Sequence, residues 1–125
     1  MIVDLHCHST ASDGVLAPTK LVERAHGRGV QLLALTDHDT VDGLAEARAA
    51  ALALGVQLVN GIELSCLWNG ATIHVLGYAF SADAPALQQA IAQLHDDLQR
   101  TGQTSSTQVL EHRLGPGEPE VTAVL

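Results

Sequence analysis

His6, His8, Asp13, His38, Glu63 and His74 are the residues of this chain whose types and spacing could do chemistry. That chemistry is divalent-metal ligation, because imidazole and carboxylate donors together suit Mn, Fe or Zn. His6 and His8 flank Cys7 in an extended segment. Side chains alternate along a strand, so the two imidazoles project from one face and can share an ion while Cys7 points away. Asp13, within Ser12-Asp13-Gly14, can bring a carboxylate over the same opening or close an Asx turn before Gly14. His38 stands between Asp37 and Asp39. It is the expected ligand, with Asp37 or Asp39 as the partner that orients it, and one of the two is free to cap the following helix. Glu63 has two oxygens with which to bridge neighbouring ions, although a solvated loop acid would look the same. His74 falls within the apolar stretch 73–76, where the alternative to a ligand is a core histidine satisfied by a backbone carbonyl. A lone His-x-His carries little weight, and the recurrence of such donors at successive strand ends is what argues for metal. His26, His95 and His112 sit in helical or tail contexts and are expected to face solvent.

Elements of the right kind must position these donors. Residues 2–8 alternate as a strand and end in a polar turn over 9–14. Pro18 suits the first turn of a helix that runs on through 20–26, with Gly27 and Gly29 stopping it. The apolar run 32–35 is a second strand that breaks at Thr36-Asp37-His38-Asp39, and an Ala-rich helix over 43–54 ends at Gly55. A third strand over 56–59 leads into Gly61-Ile62-Glu63. Trp68-Asn69-Gly70-Ala71 is a turn, and 72–78 is a fourth strand. A helix over 84–100 places Leu87, Ile91, Leu94 and Leu98 on one face. This alternation predicts an α/β fold of about four βα units on a parallel sheet, with the chemistry at the strand C-termini. Residues 1–100 form the expected domain, and 101–125, rich in Thr, Ser, Gly, Pro and Glu, an irregular tail.

Composition narrows the functions available. A net charge of −8 argues against extended nucleic-acid binding, which needs clustered Lys and Arg, but bound cations can still supply positive charge to an anionic substrate. No apolar run is long enough to span a membrane, and the N-terminus lacks a basic, apolar, small-residue signal pattern. Cys7 and Cys66 are too few for a disulfide framework, so reduced thiols and a cytoplasmic location are expected. Cys66 has no evident base beside it, and both cysteines are expected to pack rather than attack a substrate. Arg24, Arg28 and Arg48 fall on helices, where a solvated face is their expected role.

In order, Asp4-Leu5-His6-Cys7-His8-Ser9, Ser12-Asp13-Gly14, Leu35-Thr36-Asp37-His38-Asp39-Thr40, Gly61-Ile62-Glu63 and Ile73-His74-Val75-Leu76-Gly77-Tyr78 resemble the motifs of the polymerase and histidinol phosphatase (PHP) superfamily of metal-dependent phosphoesterases. They are more similar to the branch of nucleoside 3',5'-bisphosphate phosphatases and a related 5'-to-3' exoribonuclease than to histidinol phosphatase. The resemblance implies a distorted seven-stranded (β/α) barrel with up to three divalent ions at the strand C-termini. It implies that His6, His8 and Glu63 hold the first ion, Glu63 and His74 the second, and Asp13 and His38 the third. It also implies hydrolysis, by metal-activated water, of nucleotide phosphomonoesters such as a nucleoside bisphosphate, or of short RNA 5' ends.

In the family each ion is completed from the C-terminal half, by a lone histidine and a later Asp-x-His motif, and this sequence has no such motif. The chain is therefore expected to be the N-terminal part only, a truncated or frameshifted product. One competing expectation is a non-catalytic metal-binding fragment that self-associates through an open sheet edge. Another is a polymerase-associated proofreading domain, which would need a polymerase downstream.

Overall fold

The computed structural model describes residues 1–101, so beyond Thr101 the expected tail, with His112, lies outside the described residues. The elements are β1 (Ile2–Cys7), α1 (Pro18–Gly27), β2 (Val30–Leu35), α2 (Leu44–Leu54), β3 (Gln57–Trp68), β4 (Ala71–Tyr78) and α3 (Pro85–Thr101). Pro18 opens α1, where its fixed φ suits the first turn and its missing N–H costs nothing. The chain turns after α1 through Gly29 at φ +80° and after α2 through Gly55 at φ +71°, left-handed positions that glycine adopts without penalty.

The sheet order is β1-β2-β3-β4. β1, β2 and β3 are parallel, with Leu33 beside Leu58 and Leu35 beside Asn60 in the β2–β3 ladder. Helices α1 and α2 cover one face: Val22, Leu44, Ala47 and Ala51 pack with Leu33, Leu35 and Val56 in one buried cluster. Burying each of the larger side chains contributes about 1.5–3 kcal/mol.

The fully parallel sheet expected from the sequence is corrected at β4, which pairs antiparallel with β3 from Trp68–Ala71 to Gly61–Tyr78. The cause is the turn: Asn69 and Gly70 both have positive φ, at 52° and 78°. Such two-residue turns match the twist of an antiparallel hairpin and leave no length for a crossover helix. The architecture is accordingly a partial α/β barrel, a curled mixed sheet with helices. Tyr78 on β4 donates its hydroxyl to the Leu5 carbonyl of β1 at 2.8 Å, linking the two outer strands. The β1–β2 register shifts between Asp4 and Cys7, the stretch that contains Leu5. Ile2, Val3 and Leu5 on β1 remain exposed. Ile91 and Leu94 of α3 are buried, as the helical pattern predicts. Among the described residues, no helix is long and apolar enough to cross a membrane.

Candidate metal centre

The sequence-predicted donors converge at one end of the sheet. His6 lies in β1 and His8 just beyond it, and Cys7 turns the other way, its thiol donating to the Ala34 carbonyl at 3.2 Å. Burial first, then the charges of Asp4 and Asp37, pushes the Cys7 thiol up to about 12, so it is not ionised at neutral pH. Cys66 is buried as well.

Loop 9–14 folds back over the end of β1 through Ser12 N–H and Gly14 N–H, which both donate to the Ser9 carbonyl, at 3.1 and 2.8 Å. A Cβ on Gly14 would lie 2.2 Å from the His8 carbonyl oxygen, so only glycine permits this turn. The loop delivers Asp13, whose Oδ1 is 3.4 Å from His8 Nδ1 and whose Oδ2 is 3.5 Å from His38 Nε2. Glu63 projects from β3 and His74 from β4.

Glu63 is the hub. Its Oε2 lies 2.9 Å from His6 Nε2, 3.1 Å from His8 Nε2 and 3.7 Å from His38 Nε2, while Oε1 lies 3.8 Å from His74 Nδ1. The residue is only 7% exposed, so its carboxylate faces these rings rather than bulk water. Three overlapping groups result, each with donor atoms within 4.8 Å of one another: His6–His8–Glu63, His8–Asp13–His38 and His38–Glu63–His74. Relative to the grouping implied by the family resemblance, His8 also joins Asp13 and His38, and His38 also joins Glu63 and His74.

The donor set suits a divalent ion for a reason independent of any resemblance. Among the described residues, His8 Nδ1 and His38 Nδ1 are buried with no hydrogen-bond partner, the Asp13 oxygen 3.4 Å from His8 Nδ1 being a charge contact only. A buried ring nitrogen without a partner is costly, and at His8 Nδ1, which faces the Asp13 carboxylate, a cation is a partner that both can share; His38, stacked 4.6 Å away, turns its other nitrogen, Nε2, to the Asp13 and Glu63 carboxylates.

The side chains of the two aspartates beside His38 bond to other partners than the His38 ring. Asp37, 2% exposed, accepts from Ser9 N–H at 2.6 Å and from the Ser9 and Ser12 hydroxyls at 2.7 Å each. Asp39 sits at φ +54° and accepts from Ser65 N–H at 2.7 Å. Neither caps α2, whose N-cap is Gly43 with no side-chain cap bond. His95, expected to be a solvent-facing bystander, is exposed but directs its Nε2 to the Asp39 carbonyl at 3.0 Å. The pattern that could have revealed it is its place four residues after the buried Ile91, on the same helical face. His26 and Arg24 on α1, and Arg28 just past its end, are exposed as expected, whereas Arg48 hydrogen-bonds the Asn60 side chain.

Comparison with known proteins agrees with this architecture. The PHP domain family profile matches residues 4–115. A 5'-3' exoribonuclease of Haemophilus influenzae is 54% identical over 84 residues, covering 67% of this chain and 31% of the relative. A 3',5'-nucleoside bisphosphate phosphatase of Chromobacterium violaceum is 45% identical over 94 residues, covering 75% of this chain and 33% of the relative. The chain thus spans about a third of the length of these curated relatives. The solved structure of an amidohydrolase from Chromobacterium violaceum, with bound sulfate and no metal, superposes with a TM-score of 0.76 at 44% identity, covering 80% of this chain and 36% of that one. Matched along most of its length and built on the same half-barrel, this chain belongs to the PHP domain family.

Proposed function

We propose that this chain carries the metal centre of a phosphoesterase that hydrolyses phosphomonoesters of nucleotides, such as a nucleoside bisphosphate, or of short RNA 5' ends. The observation that carries the proposal is Glu63, a nearly buried carboxylate whose two oxygens face four histidines from three different segments of the chain. Ions would be held by His6, His8 and Glu63, by Glu63, His38 and His74, or by His8, Asp13 and His38, and because His8 and His38 each stand in two of these groups and an imidazole has one lone pair to give, each would serve one ion at a time. Divalent ions of the Mn, Fe or Zn class, when bound, supply Lewis-acid charge to a phosphoryl oxygen and lower the pKa of water.

The chain's own residues do the positioning. The sheet fixes His6, Glu63 and His74, each on a strand, and the turn at Gly14 sets Asp13 over His8 and His38. The Cys7 thiol points to a backbone carbonyl on the other side of β1, which opposes a covalent route through cysteine. The net charge of −8 makes an anionic substrate dependent on bound cations, because the chain has only six Lys and Arg to answer fourteen Asp and Glu. The relatives named for a nucleoside bisphosphate and for RNA 5'-3' cleavage support the substrate class.

The test is elemental analysis of the purified chain, together with phosphate release from adenosine 3',5'-bisphosphate and from a 5'-phosphorylated short RNA in added Mn. Bound metal with turnover on either substrate is the expected result, and absence of bound metal would sink the proposal. Because the chain spans about a third of its relatives' length, a second reading is a centre that holds metal without turnover. Metal uptake with no phosphate release would favour it.

A further inference from the structure

We propose that Asp37 is a positioning residue for the His8–Asp13–His38 group, acting through Ser9 and Ser12; the inference rests on the metal-centre reading above. Asp13 cannot place itself. Its side chain is 66% exposed, and Ser12 Oγ, its chain neighbour, lies a long 3.5 Å away and gives its one proton to Asp37 instead. What holds that loop is a buried carboxylate from the segment after β2: Asp37 Oδ1 accepts from Ser9 N–H and Ser12 Oγ, and Oδ2 accepts from Ser9 Oγ, all within 2.6–2.7 Å. Hydrogen bonds to an ionised acceptor are shorter and stronger than neutral ones, and these distances are of that kind.

The relation to the donors is residue by residue. Ser9 follows His8, Ser12 precedes Asp13, and Asp37 precedes His38. Each member of the donor group is therefore the chain neighbour of a member of the Ser9–Ser12–Asp37 network, and tying the three neighbours together fixes the spacing of the three donors. The network is closed on its far side by α2: a Cβ at Gly43 would come within 2.9 Å of Asp37 Oδ2 and 3.1 Å of Ser9 Oγ. The Asp37 backbone is anchored as well, its carbonyl accepting from Glu63 N–H at 3.1 Å. One residue thus links the loop that bears Asp13 to the strand that bears Glu63. A buried carboxylate is an expensive way to fill a corner, and an apolar side chain of similar volume would serve mere packing at least as well.

The experiment titrates Mn²⁺ calorimetrically into the metal-free full chain and its variants, with thermal midpoints measured in chelator. Asp13→Asn defines the uptake step that depends on this group. Ser12→Ala, which removes one bond to Asp37 and no donor, is expected to weaken that same step about tenfold, the usual lower bound for losing a partner behind a ligand. Ser12→Thr, which keeps the hydroxyl, is expected to restore it, with the other steps and the metal-free midpoint unchanged. A Ser12→Ala titration like wild type, a uniform weakening of every step, or failure of threonine to restore binding would overturn the role assigned to Asp37. Wild-type uptake that Asp13→Asn leaves unaltered, or no uptake at all, would instead overturn the metal-centre reading itself.

Discussion

His38 lies opposite Glu63 in an isolated parallel bridge that keeps the register set by Leu35 opposite Asn60. The ladder resumes after a gap because Asp39 N–H donates to the Glu63 carbonyl at 3.0 Å and Glu63 N–H to the Asp37 carbonyl at 3.1 Å. Two candidate donors, one beyond the end of β2 and one on β3, are therefore held by main-chain bonds, which constrain them far more than side-chain rotamers would.

That approach requires Gly61. A Cβ there would lie 2.6 Å from the Leu35 carbonyl oxygen and 2.7 Å from Thr36 Cγ2, so β3 would have to move away from β2 just before Glu63. Gly61→Ala is expected to lower unfolding free energy by about 1–3 kcal/mol, as overpacking does. Urea denaturation measures this, and an unchanged midpoint would show that the strands can separate without strain.

Replacing the hub carboxylate should be more selective. Glu63→Gln keeps the shape of the side chain and removes its charge, so the two groups that share Glu63 should lose metal while the His8–Asp13–His38 group retains it. Elemental analysis against wild type reads the difference. Loss of phosphate release by about a hundredfold or more is expected if the chain turns over.

Metal should also stabilise the fold. A ligand that binds only the folded state adds about 2.7 kcal/mol at a concentration a hundred times its dissociation constant. Saturating Mn is thus expected to raise the thermal midpoint, and chelator to reverse the rise. A midpoint indifferent to both would mean that the imidazoles satisfy themselves without an ion.

Tyr78 tests whether the curl of the sheet depends on a side chain. Tyr78→Phe removes the bond to the Leu5 carbonyl and is expected to cost about 0.5–1.5 kcal/mol. Desolvation by burial and the nearby Glu63 charge both hold the Tyr78 phenol above its ordinary range, so it remains protonated and able to donate well into alkaline solution. Equilibrium unfolding at neutral pH and at pH 9 should show the same loss.

Thr19 and Glu46 join the first turns of α1 and α2. Glu46 accepts from Thr19 N–H at 2.9 Å and Thr19 Oγ1 at 2.7 Å, bonds that hold its carboxyl below the usual range, the backbone bond most strongly. A carboxyl with a depressed folded pKa contributes stability above its unfolded value of about 4.3 and loses it as pH falls through the lower, folded value. Glu46→Gln should therefore lower the thermal midpoint slightly at pH 7, and the gap should close below about pH 4. A gap independent of pH would assign the effect to shape rather than charge.

What the sequence determined by itself was the set of candidate donors and the elements that carry them. Alternation in β1 places His6 and His8 together and turns Cys7 away, and the structure keeps that arrangement because a strand's period depends on local backbone geometry alone. Pro18, Gly55 and the Asn69-Gly70 pair mark their turns for the same local reason. The tertiary structure decided the rest. It made β4 antiparallel, turned Asp37 toward the Ser9 loop instead of the His38 ring, and drew His95 to Asp39. The Ser9–Asp37 and Asp39–His95 bonds join residues 28 and 56 positions apart, which meet only once register is set. A carboxylate beside a histidine can reach either way, and only the packing of neighbouring strands selects which donors come within its range.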